Sequence, residues 1–342
     1  MPRCDYDEIK EKFACFVRSF QTKDTADFSS YICKDVEGKI SVSKNQDNDE
    51  SGIENIKAFI ENYPKTDETR IAIYNYTCRL RNDEAQQVGY AIIVSADYVE
   101  GQEEMKAFYY AITCADHWIR TEDGWKMNEI HMDVYPFLDN GLKDYFGQTW
   151  VFSDPLAQEG EDLKLPAICG EYDSPWLRIP DAEDVLSDEE KVIDCYNKCF
   201  FGADYVVFQH RVDSISRHSG VNSFRFGIDE ARRAFQMLRY KRQKDRYWVH
   251  PFRHQSITFN EDHTIADDVN YRVFGWKQRV REYQWTRDNI DIEHVCNDII
   301  HTRFVWEDGE YRSASYYGGF AGTGLYEIGD YSKDLYGDEV LR

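Results

Sequence analysis

The chain lacks the features that mark several common classes of protein. None of its nine cysteines forms a CxxC pair, the spacing typical of zinc ribbons and thiol redox motifs. No apolar run approaches the roughly 18 residues that a membrane-spanning helix needs. The Gly-rich stretch GGFAGTG, which starts at Gly318, has neither GxGxxG spacing nor a helical pattern after it. These absences argue against a CxxC metal or redox protein, a membrane span and a dinucleotide-binding protein.

Positive charge is also scarce, because the 342 residues carry a formal net charge of -22. A surface this acidic repels the phosphates of nucleic acids and anionic lipid, so we expect neither nucleic acid nor a membrane as a partner. The amino-terminal stretch MPRCDYDEIKEK has no apolar core of a secretory signal, and scattered cysteines suit a reducing compartment. We therefore expect a cytoplasmic protein.

Aromatic residues, in contrast, are abundant. They make up 15% of the chain, with 24 tyrosines and 8 tryptophans, and 42% of all residues are hydrophobic. Such rings fill large cores beside a sheet and also line pockets for flat apolar molecules. The composition favours well-filled domains and a small hydrophobic ligand as the partner.

The prolines divide the chain. Half of them fall between Val151 and Asp181, in a segment with no sustained helix or strand period. This segment has the composition of a long connector, and Trp176 indicates that part of it is packed. We predict a first domain over residues 1–150, a Pro-rich linker over 151–181 and a second domain over 182–342.

The two flanks repeat one order of elements. Each opens with a helical stripe, YDEIKEKFACFVRSF in the first and SDEEKVIDCYNKCFFGADY in the second, where Ser187 and Glu190 form a capping-box signature. Each continues with a short helix, a weak strand, a second helix that starts with Gly-Ile, and long alternating strands. Each ends in a hairpin around Asp-Gly. This order predicts a tandem duplication.

The stretch ADHWIRTEDGWKMNEIH resembles the closing hairpin of the SnoaL-like, or nuclear-transport-factor-2-like, family. The resemblance covers nearly all of the chain outside the linker and implies an α+β fold. Two cone-shaped domains are expected, each a curved antiparallel sheet wrapped on helices. Because single-repeat relatives commonly dimerise through their sheets, it also implies a monomer whose repeats form an intramolecular pseudo-dimer. Further association into a homo-oligomer is left open.

The hairpins supply the first candidate site. A two-residue turn at Asp123-Gly124 places Asp116 opposite His131, and a turn at Asp308-Gly309 gives the equivalent pair of the second repeat. A carboxylate beside an imidazole fixes its tautomer and raises its basicity, as proton abstraction requires. The alternative is a cross-strand charge pair on an exposed face. The candidates are catalytic His131 and Asp116, and ligand-binding Trp118, His301 and Tyr316.

The stretch WVHPFRHQ supplies the second candidate site. Alternation places His250, Phe252 and His254 on one face of a strand. Counted from the following turns, their first-repeat equivalents are Ala72, Tyr74 and Tyr76, and relatives often point a histidine into the cone from this strand. The alternative is a set of hydrogen-bonded core or surface residues. Two histidines without a third ligand at diagnostic spacing predict no metal. The candidates are catalytic His250 and His254, and ligand-binding Tyr74, Tyr76 and Phe252.

Hydratases and cyclases of this fold often also use a carboxylate or tyrosine after the first helix. Asp35 and Asp213 occupy that region and are secondary catalytic candidates, with helix capping as the alternative.

The resulting hypothesis is a lyase or isomerase of the dehydratase, isomerase or cyclase type that needs no cofactor. It would act on a small hydrophobic, aromatic or polycyclic substrate by His, Asp and Tyr acid-base chemistry. Because one fold serves many functions, the alternative is a non-catalytic scaffold that binds a ligand or another protein.

Overall fold

The computed structural model describes residues 2–42, 49–63, 65–136, 167–205, 207–216, 249–273 and 296–320. The chain divides into two compact units, the first including residues through Val185 and the second beginning at Leu186.

The first unit has the predicted order of elements. Its helices are α1 (Pro2–Thr22), α2 (Phe28–Tyr31), α3 (Ile53–Asn62) and α4 (Pro175–Arg178). Its strands are β1 (Ile32–Ile40), β2 (Glu68–Arg81), β3 (Glu84–Tyr98), β4 (Met105–Thr121) and β5 (Gly124–Pro136). The sheet order is β1-β5-β4-β3-β2. Strands β2 to β5 are antiparallel as predicted, but β1 pairs parallel with β5, so the sheet is mixed.

Helix α1 covers the inner face of this sheet because its apolar residues recur at helical spacing. They are fully buried: Tyr6, Ile9, Phe13, Phe16, Val17 and Phe20. The ring of Phe13 lies directly over Gly89 of β3, where an added Cβ would come within 2.5 Å of Phe13 Cε1 and Cζ. Glycine at this position therefore lets the helix approach the sheet closely.

The described part of the second unit contains helices α5 (Asp188–Asp204) and α6 (Phe208–Asp213) and strands β6 (Phe252–Phe259), β7 (Ile265–Val273), β8 (Cys296–Glu307) and β9 (Glu310–Phe320). The strands form an antiparallel sheet in the order β6-β7-β8-β9. The predicted capping box of Ser187 and Glu190 is confirmed at the start of α5. The helix predicted to begin at the second Gly-Ile, Gly227, lies outside the described residues.

The two sheets share an irregularity. In β5 the pairing with β4 shifts at Asn128, the fourth residue after Gly124. In β9 the pairing with β8 shifts at Ala314, the fourth residue after Glu310. A short parallel contact also recurs, between Ile32 and Met127 in the first unit and between Ile215 and Ser313 in the second. Matching bulges are features that related strands retain, so the duplication is supported over these elements.

The described end of the predicted linker belongs to the first unit. Residues 167–181, called the strap below, lie on the outer face of the first sheet. Arg79 of β2 donates to the carbonyl oxygens of Ile179 and Pro180, at 3.0 and 2.9 Å. Asp133 of β5 accepts from the backbone N–H groups of Ala167 and Ile168, at 2.8 and 3.3 Å. This part of the linker is a packed layer, as Trp176 indicated, since that side chain is buried.

Replacement of Gly89 by alanine should destabilise the first unit by about 1–3 kcal/mol, because the new Cβ would overlap the Phe13 ring. The measurement is the melting temperature of the full chain. In the Phe13→Leu background the smaller side chain leaves room, so the same replacement should cost much less. An equal cost in both backgrounds would mean that the helix does not pack on Gly89.

Candidate functional site

The predicted cross-strand pair of Asp116 and His131 does not form. The first hairpin turns at Glu122 and Asp123, so that Thr121 pairs with Gly124, and the bulge at Asn128 shifts the register again. Asp116 consequently pairs with Ile130, and His131 pairs with Ala115. Neighbouring strand residues point to opposite faces, so Asp116 lies on the inner face and His131 on the outer face.

The predicted register of the second hairpin is wrong for the same reason. The turn at Asp308-Gly309 is confirmed, but the bulge at Ala314 pairs His301 with Tyr317 and Thr302 with Tyr316. His301 therefore lies on the outer face, together with Arg303. The structural equivalent of Asp116 is Thr302.

On the outer face of the first sheet, His131 is held by the strap. Its Nδ1 lies 2.7 Å from Asp173 Oδ1, and its side chain is almost fully buried. A carboxylate only accepts, so Nδ1 donates. Asp173 Oδ2 accepts from the backbone N–H of Cys169 at 2.7 Å, and the Asp173 carbonyl accepts from Gln86 Nε2 at 3.1 Å. The pair therefore anchors the strap.

A second anchor lies beside it. Arg178 donates to Glu129 from its two terminal nitrogens, Nη1 and Nη2, at 2.7 and 2.6 Å, and stacks over the Tyr172 ring at 4.6 Å. Burial acts to raise the pKa of Glu129, but the guanidinium outweighs it and holds the pKa below its usual range. Glu129, His131 and Asp173 place one ligand atom each within 4.8 Å of one another. Because Arg178 already neutralises Glu129, this geometry suits a strap anchor better than a metal ion.

The inner face of the first sheet is filled. Asp116 is fully buried, and Gln87 Nε2 donates to its Oδ2 at 2.8 Å in the amide orientation that lets Gln87 Oε1 accept from Gly89. Burial, and then the charge of Asp173, raises the pKa of Asp116 well above its usual range. The ring of Tyr76 packs against Tyr6 and Phe13 of α1, at 5.8 and 5.6 Å between centroids.

The inner face of the second sheet carries a polar cluster. His254 Nδ1 lies 2.9 Å from Asp268 Oδ2, which also accepts from Asn270 Nδ2 at 2.7 Å. Asn270 Oδ1 accepts from the Tyr196 hydroxyl at 3.3 Å. The carboxylate makes Nδ1 the protonated nitrogen, so neutral His254 keeps a lone pair on Nε2. Among the described residues, His254 Nε2 has no hydrogen-bond partner.

Aromatic and apolar groups surround this cluster. The Tyr196 ring of α5 meets the rings of His254 and Phe252 edge-on, at 5.4 and 4.6 Å. Phe304 and Ile300 belong to the same buried core. A base on an apolar wall is the arrangement that proton abstraction from carbon needs.

His250 has a different partner. Its Nδ1 and backbone N–H both bind the buried carboxylate of Asp204, near the end of α5. Its ring lies 4.8 Å from that of Phe200. These contacts join the start of β6 to α5.

The other candidates are dispersed. Trp118, Tyr74 and Phe252 are buried, Asp35 is exposed on β1, and half-buried Asp213 ends α6, where Gln209 donates to it. Tyr316 faces Thr302 in the register, and its side chain lies outside the described residues. Their assignment as catalytic or ligand-binding residues stays a prediction.

Sequence reasoning missed the partners of the histidines. Asp268 and Asn270 stand two residues apart in β7, IADDVNYRV, which places both on one face of the strand. That spacing was a readable signal. Asp173 had none, because 42 residues separate it from His131.

Residues 2–131 match the family model of the SnoaL-like domain. No curated protein sequence matches the chain. Similar solved structures include Kfla4162 from Kribbella flavida, with 16% identity, 38% of this chain and 90% of that chain covered, and a TM-score of 0.34. A candidate dehydratase of the NTF2-like family from Streptomyces avermitilis has 14% identity, 39% and 97% coverage, and a TM-score of 0.33. A hexachlorocyclohexane dehydrochlorinase has 16% identity, 37% and 82% coverage, and a TM-score of 0.30.

Within the described ranges, no helix is both long enough and apolar enough to span a membrane.

Replacement of Asp116 by asparagine should stabilise the protein more at pH 8 than at pH 4.5. The pKa of Asp116 is higher in the folded chain than in the unfolded chain, where it is about 3.9. As pH rises above that value, the unfolded chain ionises first, so the free energy of unfolding falls by up to about 1.4 kcal/mol per pH unit. Asparagine does not ionise and can still accept from Gln87. The measurement is the difference in melting temperature between variant and parent at both pH values, with exposed Asp35→Asn as control. A difference independent of pH would show that Asp116 ionises normally.

Replacement of Asp173 by asparagine should cost about 1–3 kcal/mol, because one of its buried donors, on His131 or Cys169, loses its acceptor. Amide hydrogen exchange at Ala167 and Ile168 should accelerate as the strap loosens. The matched control is Asp181→Asn, an exposed strap residue paired with Arg81, which should cost at most about 1 kcal/mol. Equal exchange in the two variants would contradict the anchoring role.

Proposed function

We propose that the chain is a cofactor-independent lyase or isomerase whose reacting site is the inner face of the second sheet. The observation that carries this proposal is the His254–Asp268 pair, with its free Nε2 against an apolar wall. His254 removes a proton from carbon next to a carbonyl group of a small hydrophobic substrate. Asp268 holds the tautomer and stabilises the imidazolium that forms. The SnoaL-like domain at residues 2–131 supports the fold on which such sites are built, but does not by itself select the chemistry.

The first unit has another role in this proposal. Its inner face is occupied by Phe13, Tyr6 and Tyr76, and the acid on that face, Asp116, is bound by Gln87. His131, once the leading candidate for a base, is buried beneath the strap. These contacts favour a structural or protein-binding role for the first unit, which is the scaffold alternative applied to one half of the chain.

Proton abstraction can be tested by hydrogen–deuterium exchange at the α-carbon of 2-tetralone in D₂O. The intact chain should accelerate exchange. The His254→Gln variant should exchange about 10²–10⁴-fold more slowly, because that is the usual contribution of a general base to the rate. Asp268→Asn should lower the rate less severely, because the base remains but its tautomer is no longer fixed. The matched control is His263→Gln, which alters an exposed His–Asp pair: His263 Nδ1 lies 2.7 Å from Asp188 Oδ2, against 2.9 Å for His254 and Asp268.

A measurement independent of substrate accompanies this assay. Long-range ¹H–¹⁵N spectra should show neutral His254 protonated at Nδ1, and Asp268→Asn should shift that tautomer. Exchange that persists in His254→Gln, or an Nε2-protonated His254 in the parent, would overturn the proposal.

A further inference from the structure

Two buried atoms beside His254 lack the partners that buried polar atoms need. Asp268 Oδ1 and Thr302 Oγ1 make no hydrogen bond within the described part of the chain, although their residues are only 1% and 2% exposed. Asp268 and Thr302 are directly paired across β7 and β8 and share the inner face. A buried polar group without a hydrogen bond destabilises the folded state by about 1–3 kcal/mol. Two such groups on paired residues therefore indicate that a bound molecule supplies the missing hydrogen bonds.

The equivalent positions of the first unit hold a different pair of side chains. Thr302 occupies the position of Asp116 in the hairpin register. Asp268 pairs with Thr302 across the strands as Gln87 pairs with Asp116, so Asp268 corresponds to Gln87. Gln87 Nε2 and Asp116 Oδ2 satisfy one another at 2.8 Å. The two side chains are therefore bonded to each other in the first repeat, although Asp116 Oδ1 also lacks a partner there, whereas Asp268 Oδ1 and Thr302 Oγ1 both lack one in the second.

The chemistry of the open atoms restricts the partner. Asp268 Oδ2 is already bound by His254 and Asn270, which leaves Oδ1 as an acceptor. The hydroxyl of Thr302 both donates and accepts. A carbonyl oxygen cannot donate to Asp268, and a carboxylate would be repelled by it. A hydroxyl group can donate to Asp268 Oδ1 and accept from Thr302 Oγ1 at once.

We infer that this site takes an apolar carbonyl compound that also carries an alcohol or phenol hydroxyl, and that this O–H lies between Asp268 and Thr302. The inference rests on the proposed function, which places the substrate at the inner face of the second sheet. It adds the chemical class of that substrate. The rest of the molecule contacts the rings of Tyr196, Phe252 and Phe304. Thr302 is thus a specificity residue, while His254 Nε2 remains free to face the reacting carbon.

The test uses calorimetry to compare the affinities of 2-naphthol and naphthalene for the full chain. The parent should bind 2-naphthol at least tenfold more tightly, because the hydroxyl satisfies both open atoms. Thr302→Val has the same shape without the hydroxyl and should bring the ratio close to one. Thr302→Ser restores the hydroxyl and should restore the preference. The control Thr258→Val changes an exposed threonine of β6 and should leave the ratio unchanged.

The variant His254→Gln separates the two proposals. It should lose the exchange of 2-tetralone yet keep the preference for 2-naphthol, so either property can fail alone. Equal affinity for both probes, no binding of either, or an unchanged ratio in Thr302→Val would overturn the inference. Those results would mean that ordered water, not a ligand hydroxyl, satisfies Asp268 and Thr302.

Discussion

One extra residue in a strand determines where the chemistry of each unit lies. Because side chains alternate along a strand, inserting Asn128 into β5 reverses the face of every residue after it relative to β4. Ile130 thereby joins the core, while Glu129 and His131 are turned to the outer face, where Arg178 and Asp173 meet them. Without the bulge, these charged groups would point into the largely apolar interior beneath α1. The strap and its buried ion pairs depend on this local shift.

The elements that sequence reasoning predicts well are those with local signals. The stripe of α1, the capping box at Ser187, the Gly52 start of α3 and the Asp308-Gly309 turn are each written within a few neighbouring residues. Bulges carry no comparable signature, so face assignments beyond them fail by one residue. Partners from distant segments, such as Asp173, depend on how the chain returns to the sheet. His254 was predicted as a base from alternation alone, but the carboxylate that supports it was not.

The two repeats place a buried carboxyl group on different strands of equivalent sheets. In the first, a carboxyl group sits on β4 and its neutral hydrogen-bond partner, Gln87, on β3. In the second, the carboxylate has moved to β7 and its neighbour on β8 is a hydroxyl, Thr302. In the first arrangement the two side chains bond to each other beneath the packed rings of α1. The second uses its carboxylate to hold an imidazole, so the residues at two positions distinguish a face packed with rings from a face that carries a polar cluster.

The strap also sets the order in which the first unit can assemble. Its contacts come from three strands: Arg79 in β2, Gln86 in β3, and Glu129, His131 and Asp133 in β5. No binding surface for it exists until those strands have paired, and its contacts with Arg79 span 100 residues of sequence. Closing so long a loop is entropically expensive before the sheet is present to reward it. We expect the strap to dock after these strands have paired, and chain synthesis presents it in that order, after β5.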